Sequence, residues 1–191
     1  WQASSGAERA NKDLFLSELC DALGVPRPGP TTGDPEKDLY VFEKDAPNPH
    51  GGGRVTTGKI DLYKEGCLLL EAKQGSESGD QKIGTAKRGT GMWGFAMQAA
   101  YGQACQYTQA FEAPPPFLIV CDIGYCFDLY ATFDGSWNFR HFPDAKRHRI
   151  FLADLPAHAD TLRTIFTDPH RLDPAKNAAK VTREIATHLA E

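Results

Sequence analysis

Gly58-Lys59-Ile60-Asp61-Leu62-Tyr63-Lys64-Glu65-Gly66-Cys67-Leu68-Leu69-Leu70-Glu71-Ala72-Lys73 reads as two short strands joined by a tight turn, and the rest of the 191-residue chain is organised around it. If Lys64, Glu65 and Gly66 form a hairpin loop, with Gly66 in the left-handed conformation, Tyr63 is expected to pair with Cys67 and Asp61 with Leu69. Strand side chains alternate between faces. Leu69, Glu71 and Lys73 therefore share a face with Asp61, and Leu68, Leu70 and Ala72 point the other way. On that register Asp61 and Glu71 are diagonal neighbours, with Cβ atoms roughly 7–8 Å apart or somewhat less.

A solvated hairpin face is the ordinary setting for an arbitrary Asp and Glu-x-Lys. Here the uninterrupted run Leu68-Leu69-Leu70 marks a strand covered on both faces, so charges leaving it call for a chemical reason. Two carboxylates at this spacing suit a hard divalent cation, because Mg²⁺ takes oxygen ligands at about 2.0–2.1 Å and keeps several waters beside one or two carboxylates. Lys73, two residues past Glu71, is placed to orient an attacking water or to stabilise charge developing on a phosphate.

These residues resemble the PD-(D/E)xK, or restriction-endonuclease-like, nuclease superfamily. In its pattern an Asp ends or follows one strand and Glu-x-Lys sits on the next, positions matched by Asp61, Glu71 and Lys73; Ile60 replaces the Pro often found before the Asp. Downstream, Gln103-Ala104-Cys105-Gln106-Tyr107 is similar to a Gln-x-x-x-Tyr helix motif, followed by the apolar strand Phe117-Leu118-Ile119-Val120-Cys121-Asp122. In order and spacing, residues 1–150 resemble the amino-terminal nuclease module of MmeI-like single-chain restriction–modification enzymes. Asp34-Pro35-Glu36-Lys37 mimics the motif letters, but it lies among Pro and Gly with no apolar strand to carry it.

That resemblance implies an α/β fold, a restriction-endonuclease-like mixed β-sheet flanked by α-helices, over residues 1–150, with residues 151–191 as a helical connector. It implies Mg²⁺, or Mn²⁺, held by Asp61, Glu71 and the Ala72 carbonyl, with Lys73 positioning water and Gln103 and Tyr107 supporting the site. Glu8, on the first helix, is an optional further metal ligand; as an acidic residue in a first turn it also has a plain electrostatic reason to be there. Likewise, Tyr107 packed in the core with Gln103 facing water is the plain reading of that pair. The implied substrate is double-stranded DNA, and cutting both strands with one site per chain implies a dimer. No methyltransferase motif occurs here, so S-adenosylmethionine would belong only to a region past Glu191. The alternatives are a non-cleaving DNA-binding or docking module of a DNA methyltransferase, and an exonuclease or junction resolvase on the same fold.

At 41% hydrophobic and 24% charged residues, the chain has the make-up of a globular domain able to bury one core. The net charge of -4 excludes a uniformly basic nucleic-acid binder. Basic residues are nevertheless segregated: Lys82, Lys87 and Arg88 in the glycine-rich stretch 75–94, and Arg140, Lys146, Arg147 and Arg149 beside His141 and His148. Lys82, Lys87, Arg88, Arg147 and Arg149 are the candidate DNA contacts, with an ordinary solvated surface as the alternative. No apolar run approaches the length of a membrane span and residues 1–6 do not resemble a secretory signal, so a cytoplasmic location is expected. Five cysteines, an odd number without paired ligand spacing, fit reduced thiols better than disulfides or structural zinc.

Periodicity places a helix over residues 7–23, capped near Ser4 or Ser5 and ended by Gly24, with Phe15, Leu16, Leu19, Cys20 and Leu23 as its apolar stripe. Pro and Gly in 26–37 and 45–53 predict loops around a short strand at 39–42. A helix is expected over 93–111, strands over 117–121 and 126–132 around Gly124, an edge strand over 137–142, and a last helix opening at Pro174.

Overall fold

The computed structural model describes residues 1, 8–50, 54–77 and 86–190. Helix α1 (Glu8–Leu23) is followed by strands β1 (Tyr40–His50), β2 (Arg54–Lys64) and β3 (Leu68–Lys73), then helix α2 (Gly91–Thr108). Strands β4 (Phe117–Asp122), β5 (Cys126–Ala131), β6 (Arg140–His141) and β7 (Arg149–Phe151) complete one sheet, and helices α3 (Leu155–Thr167) and α4 (Pro174–Ala190) follow. The sheet order is β1-β2-β3-β4-β5-β6, with β7 also pairing with β5. Among the described strand pairs only β3 and β4 run parallel, and α2 makes the crossover between them. The architecture is therefore the expected mixed α/β sheet flanked by helices.

Alternation along the central strands builds both sides of the core. Leu68, Leu70 and Ala72 of β3 join Ile119 and Cys121 of β4 under α1 and α3. Leu69, Leu118 and Val120 face Trp93, Met97, Ala100, Ala104 and Tyr107 of α2. A strand buried on both faces gains nothing from alternating polarity, which is why Leu68-Leu69-Leu70 is uninterrupted. The α1 stripe packs as anticipated, and Gly24 ends the helix at φ +66°. Packing does not stop at residue 150, since Leu162, Ile165 and Phe166 of α3 belong to the same core. Helix α4 opens at Pro174 with Asp173 as its cap, the Asp173 carboxylate accepting from the Ala175 N–H at 2.9 Å.

Three sequence expectations need correction. The strand expected over 39–42 runs on through Pro47 and Pro49 to His50. It is the outer strand of the sheet, and a proline is tolerated where its missing N–H faces outward. The edge strand expected over 137–142 reduces to Arg140–His141. The β2–β3 register also differs: Tyr63 pairs with Leu69 and Lys64 with Leu68. Cys67 leaves the ladder for the turn, its N–H bonding to the Lys64 carbonyl at 3.1 Å while its own carbonyl accepts from Phe117 N–H. Gly66 is left-handed at φ +65° as expected. The change moves each partner by two positions, so every β3 side chain keeps the face assigned from the sequence.

Candidate metal centre and its surroundings

β2 and β3 stop pairing beyond Leu62 and Leu70. At the same place the inward face of β2 changes, with Leu62 packing beneath α1 and α3 and Ile60 beneath α2. Asp61 lies at this change, where the strands fork. Its Oδ2 accepts the Ala72 N–H at 2.7 Å, the bond a backbone carbonyl of β2 would take in a continuous ladder. The carboxylate is thereby held against the backbone immediately after Glu71. Across the fork, Lys73 Nζ donates to Glu71 Oε1 at 2.8 Å. Asp61 and Glu71 are both buried, and Lys73 is partly exposed.

The parallel register sets Lys73 opposite Asp122, and the Lys73 carbonyl accepts from Ile123 N–H at 2.8 Å. Ladder bonds alternate sides along a strand, so the polar groups of Ala72 face the fork. Two carboxylates and a backbone carbonyl are a hard-oxygen donor set. Among the described residues no three His, Cys, Asp or Glu side chains gather as a metal cage. A donor set this small fits a hydrated ion such as Mg²⁺, which completes its shell with water.

Two further groups reach the fork. Lys12 Nζ, from α1, donates to Asp61 Oδ1 at 2.7 Å and also pairs with Glu43 of β1. Burial works against the Lys12 ammonium, but hydrogen bonds and charge from Asp61 and Glu43 outweigh it and hold the pKa above the usual lysine range. Asp13, next to Lys12, has its pKa raised, first by partial desolvation and then by the Glu43 and Asp61 carboxylates, against the pull of Lys12. Glu43 has a φ of +53°, the one positive value outside glycine among the described residues. The β1–β2 register steps from Phe42–Leu62 to Lys44–Ile60, so Glu43 and Asp61 are the two positions it skips.

Gln103 and Tyr107 of α2 meet each other, Gln103 Nε2 donating to the Tyr107 hydroxyl at 2.7 Å. The Tyr107 ring lies directly over Gly58 of β2, where an added Cβ would come within 2.4 Å of it. Glu8 is the first residue of α1, one turn before Lys12, and its side chain lies outside the described residues. Lys82 also lies outside them.

The remaining candidate DNA contacts occupy different settings. Lys87 is exposed, and Arg147 is exposed and paired with Asp144 at 2.6 Å. Arg88 is buried: its guanidinium bonds Asp122 at 3.0 and 3.1 Å and covers the Tyr125 ring. Arg149 forms two 2.6 Å bonds with Asp128 and lies over the Trp93 ring, 4.6 Å from its centroid. Register carries the Glu71 row across the sheet through Val120 and Asp128 to Arg149. Arg140 instead shares the row of Ala131, Phe117 and Leu68, about 10 Å along the strands. Arg140 and Arg149 are thus set three rows apart, while His141 and His148 between them meet, ring centroids 4.3 Å apart, beside Tyr130.

Sequence reasoning missed Lys12, Glu43 and Asp122. Lys12 carried a signal, because it falls in line with Phe15, Leu16 and Leu19 on the apolar side of α1, where a lysine requires a partner. Glu43 had none, since its role depends on a backbone turn seen only in the fold. Among the described residues no helix is long and apolar enough to cross a membrane.

No curated protein and no solved structure matches this chain. One family model does, described as the N-terminal domain of MmeI, and it matches residues 1–191. The chain therefore belongs to the MmeI N-terminal domain family.

Proposed function

We propose that this domain is a metal-dependent DNA endonuclease that hydrolyses phosphodiester bonds, the restriction part of a protein that also carries an adenine-specific DNA methyltransferase. The observation carrying the reading is the fork itself. Asp61 is fastened to the Ala72 amide beside the Glu71–Lys73 pair, so both carboxylates and the lysine belong to one point of the sheet.

Asp61, Glu71 and the Ala72 carbonyl would hold Mg²⁺ or Mn²⁺, which supplies Lewis acidity and orientation toward a phosphate when bound. Glu71 keeps the Lys73 ammonium at the mouth of the fork, where it orients the attacking water and offsets charge building on the phosphate oxygens. Hydrolysis joins the water oxygen to phosphorus and breaks one P–O ester bond, leaving a phosphate monoester and a hydroxyl. Gln103 and Tyr107 support β2 from the α2 side, through Gly58. Lys87 and Arg147 are the exposed candidates for the phosphate backbone of double-stranded DNA, and two copies would be needed to cut both strands.

Asp61→Ala and Lys73→Ala should each reduce cleavage of covalently closed plasmid by about 100-fold or more, while DNA binding by gel shift stays within a few-fold. Normal cutting by both variants would refute the reading. A wild-type protein that binds DNA but neither takes up Mn²⁺ nor cuts would be a docking module, and cutting confined to DNA with free ends would make it an exonuclease.

A further inference from the structure

Lys12 bridges two carboxylates that belong to different strands, and only one of them is a proposed metal ligand. Its ammonium lies 2.7 Å from Asp61 Oδ1, on the oxygen left over after Oδ2 has taken the Ala72 amide. Both oxygens of Asp61 are therefore engaged. A divalent ion approaching Asp61 meets a cation already on it. The second carboxylate, Glu43, is more open, with 43% of its side chain exposed against 11% for Asp61. It is held toward Lys12 by the left-handed turn at φ +53°.

We propose that Lys12 is an internal occupant of the metal centre, exchanged for the divalent ion on loading, and that Glu43 is the positioning residue that receives it. The proposal rests on the metal-centre reading and extends it to residues outside the Asp and Glu-x-Lys motif. Without Glu43, Lys12 would have to stay on Asp61 or remain buried with its charge unpaired, a costly alternative. With Glu43, the ammonium shifts from a shared to a single carboxylate partner and one Asp61 oxygen is released. Since Lys12 lies on α1 and Glu43 on β1, loading couples the first helix to the outer strand of the sheet.

The two residues have opposite expected effects on metal affinity, and the second acts only through the first. Mn²⁺ uptake, followed by loss of the free-ion electron paramagnetic resonance signal, would be measured in the complete protein carrying this domain, with Asp61→Ala as the blank. Lys12→Met should tighten Mn²⁺ binding by about tenfold, and Glu43→Gln should weaken it several-fold. In the Lys12→Met background, Glu43→Gln should have no effect, the signature of coupling in a double-mutant cycle. An equal weakening in both backgrounds would overturn the inference, because Glu43 would then act on the ion directly or through its charge alone.

If Lys12→Met does not fold, Glu43→Gln still decides the matter, since unchanged or tighter Mn²⁺ binding in that variant contradicts the proposal. Uptake by the wild type that is indifferent to both substitutions overturns this inference and leaves the metal centre standing. Absence of uptake above the Asp61→Ala blank in wild type and Lys12→Met alike overturns both.

Discussion

At the scale of single residues, Asp122 sits in a demanding environment, with no exposed surface. Fully buried at the end of β4, it accepts from Gly75 N–H, from Arg88 and from Trp93 Nε1 at 2.7–3.1 Å. A carboxylate taken out of water is tolerated only when its lone pairs are filled and an opposite charge is adjacent, and here both conditions hold. Arg88 depends on it in turn. Asp122→Ala should lower the unfolding free energy by about 3–5 kcal/mol, because it leaves the buried guanidinium with no buried carboxylate, only the exposed Glu77 at 3.2 Å and the Ile123 carbonyl. Urea unfolding would measure this, and a loss within experimental scatter would mean that Arg88 escapes to water. Lys73 pairs in register with this residue, so the same substitution is expected to disturb the neighbouring fork.

Between elements, the contact of β2 with α2 turns on the absence of one carbon. Gly58 pairs with Ala46 on β1 and lies beneath the Tyr107 ring, whose hydroxyl is in turn bonded by Gln103. In a strand, glycine is ordinarily a weak choice, and alanine there would normally help by about 0.5–1 kcal/mol. The ring reverses that sign. An added Cβ would lie 2.4 Å from Tyr107 Cε1, on a buried side chain with little room to retreat. Gly58→Ala should therefore destabilise the domain by about 1–3 kcal/mol. A rise in melting temperature for this variant would mean that Tyr107 yields without cost. α2 itself was legible from its helix motif, but its boundaries and its seating over Gly58 came from packing.

Across the whole molecule, the five cysteines report on how completely the core is sealed. Cys20, Cys67, Cys105, Cys121 and Cys126 are all free thiols. Burial raises the pKa of each, with Cys126 pushed up to about 12. Raising a thiol pKa lowers its thiolate fraction at a given pH, and the thiolate is the reacting form. At pH 8 the native domain should therefore react slowly with a thiol-specific reagent and release its five equivalents only in denaturant. Cys105, the one cysteine that is not fully buried, should be modified first. Rapid native modification of Cys121 or Cys126, from the inner strands β4 and β5, would indicate a sheet that opens far more readily than this packing implies.

The sequence alone determined what is local and periodic. A run of apolar residues marked β3 as a covered strand, and alternation put Glu71 and Lys73 together on one of its faces. That assignment survived the corrected turn because a two-position shift preserves parity. The long reach of β1 through two prolines depended on its place at the sheet edge, which its own composition could not express. Tertiary structure alone decided the fork and its occupants. The Lys12–Asp61 contact joins residues 49 positions apart, and the Glu43 turn exists where β1 and β2 skip a pair. The separation of Arg140 from Arg149 by three rows of the sheet follows from strand register. Contacts of this kind arise from how elements are stacked, and stacking is set by the whole apolar core rather than by any short stretch of chain.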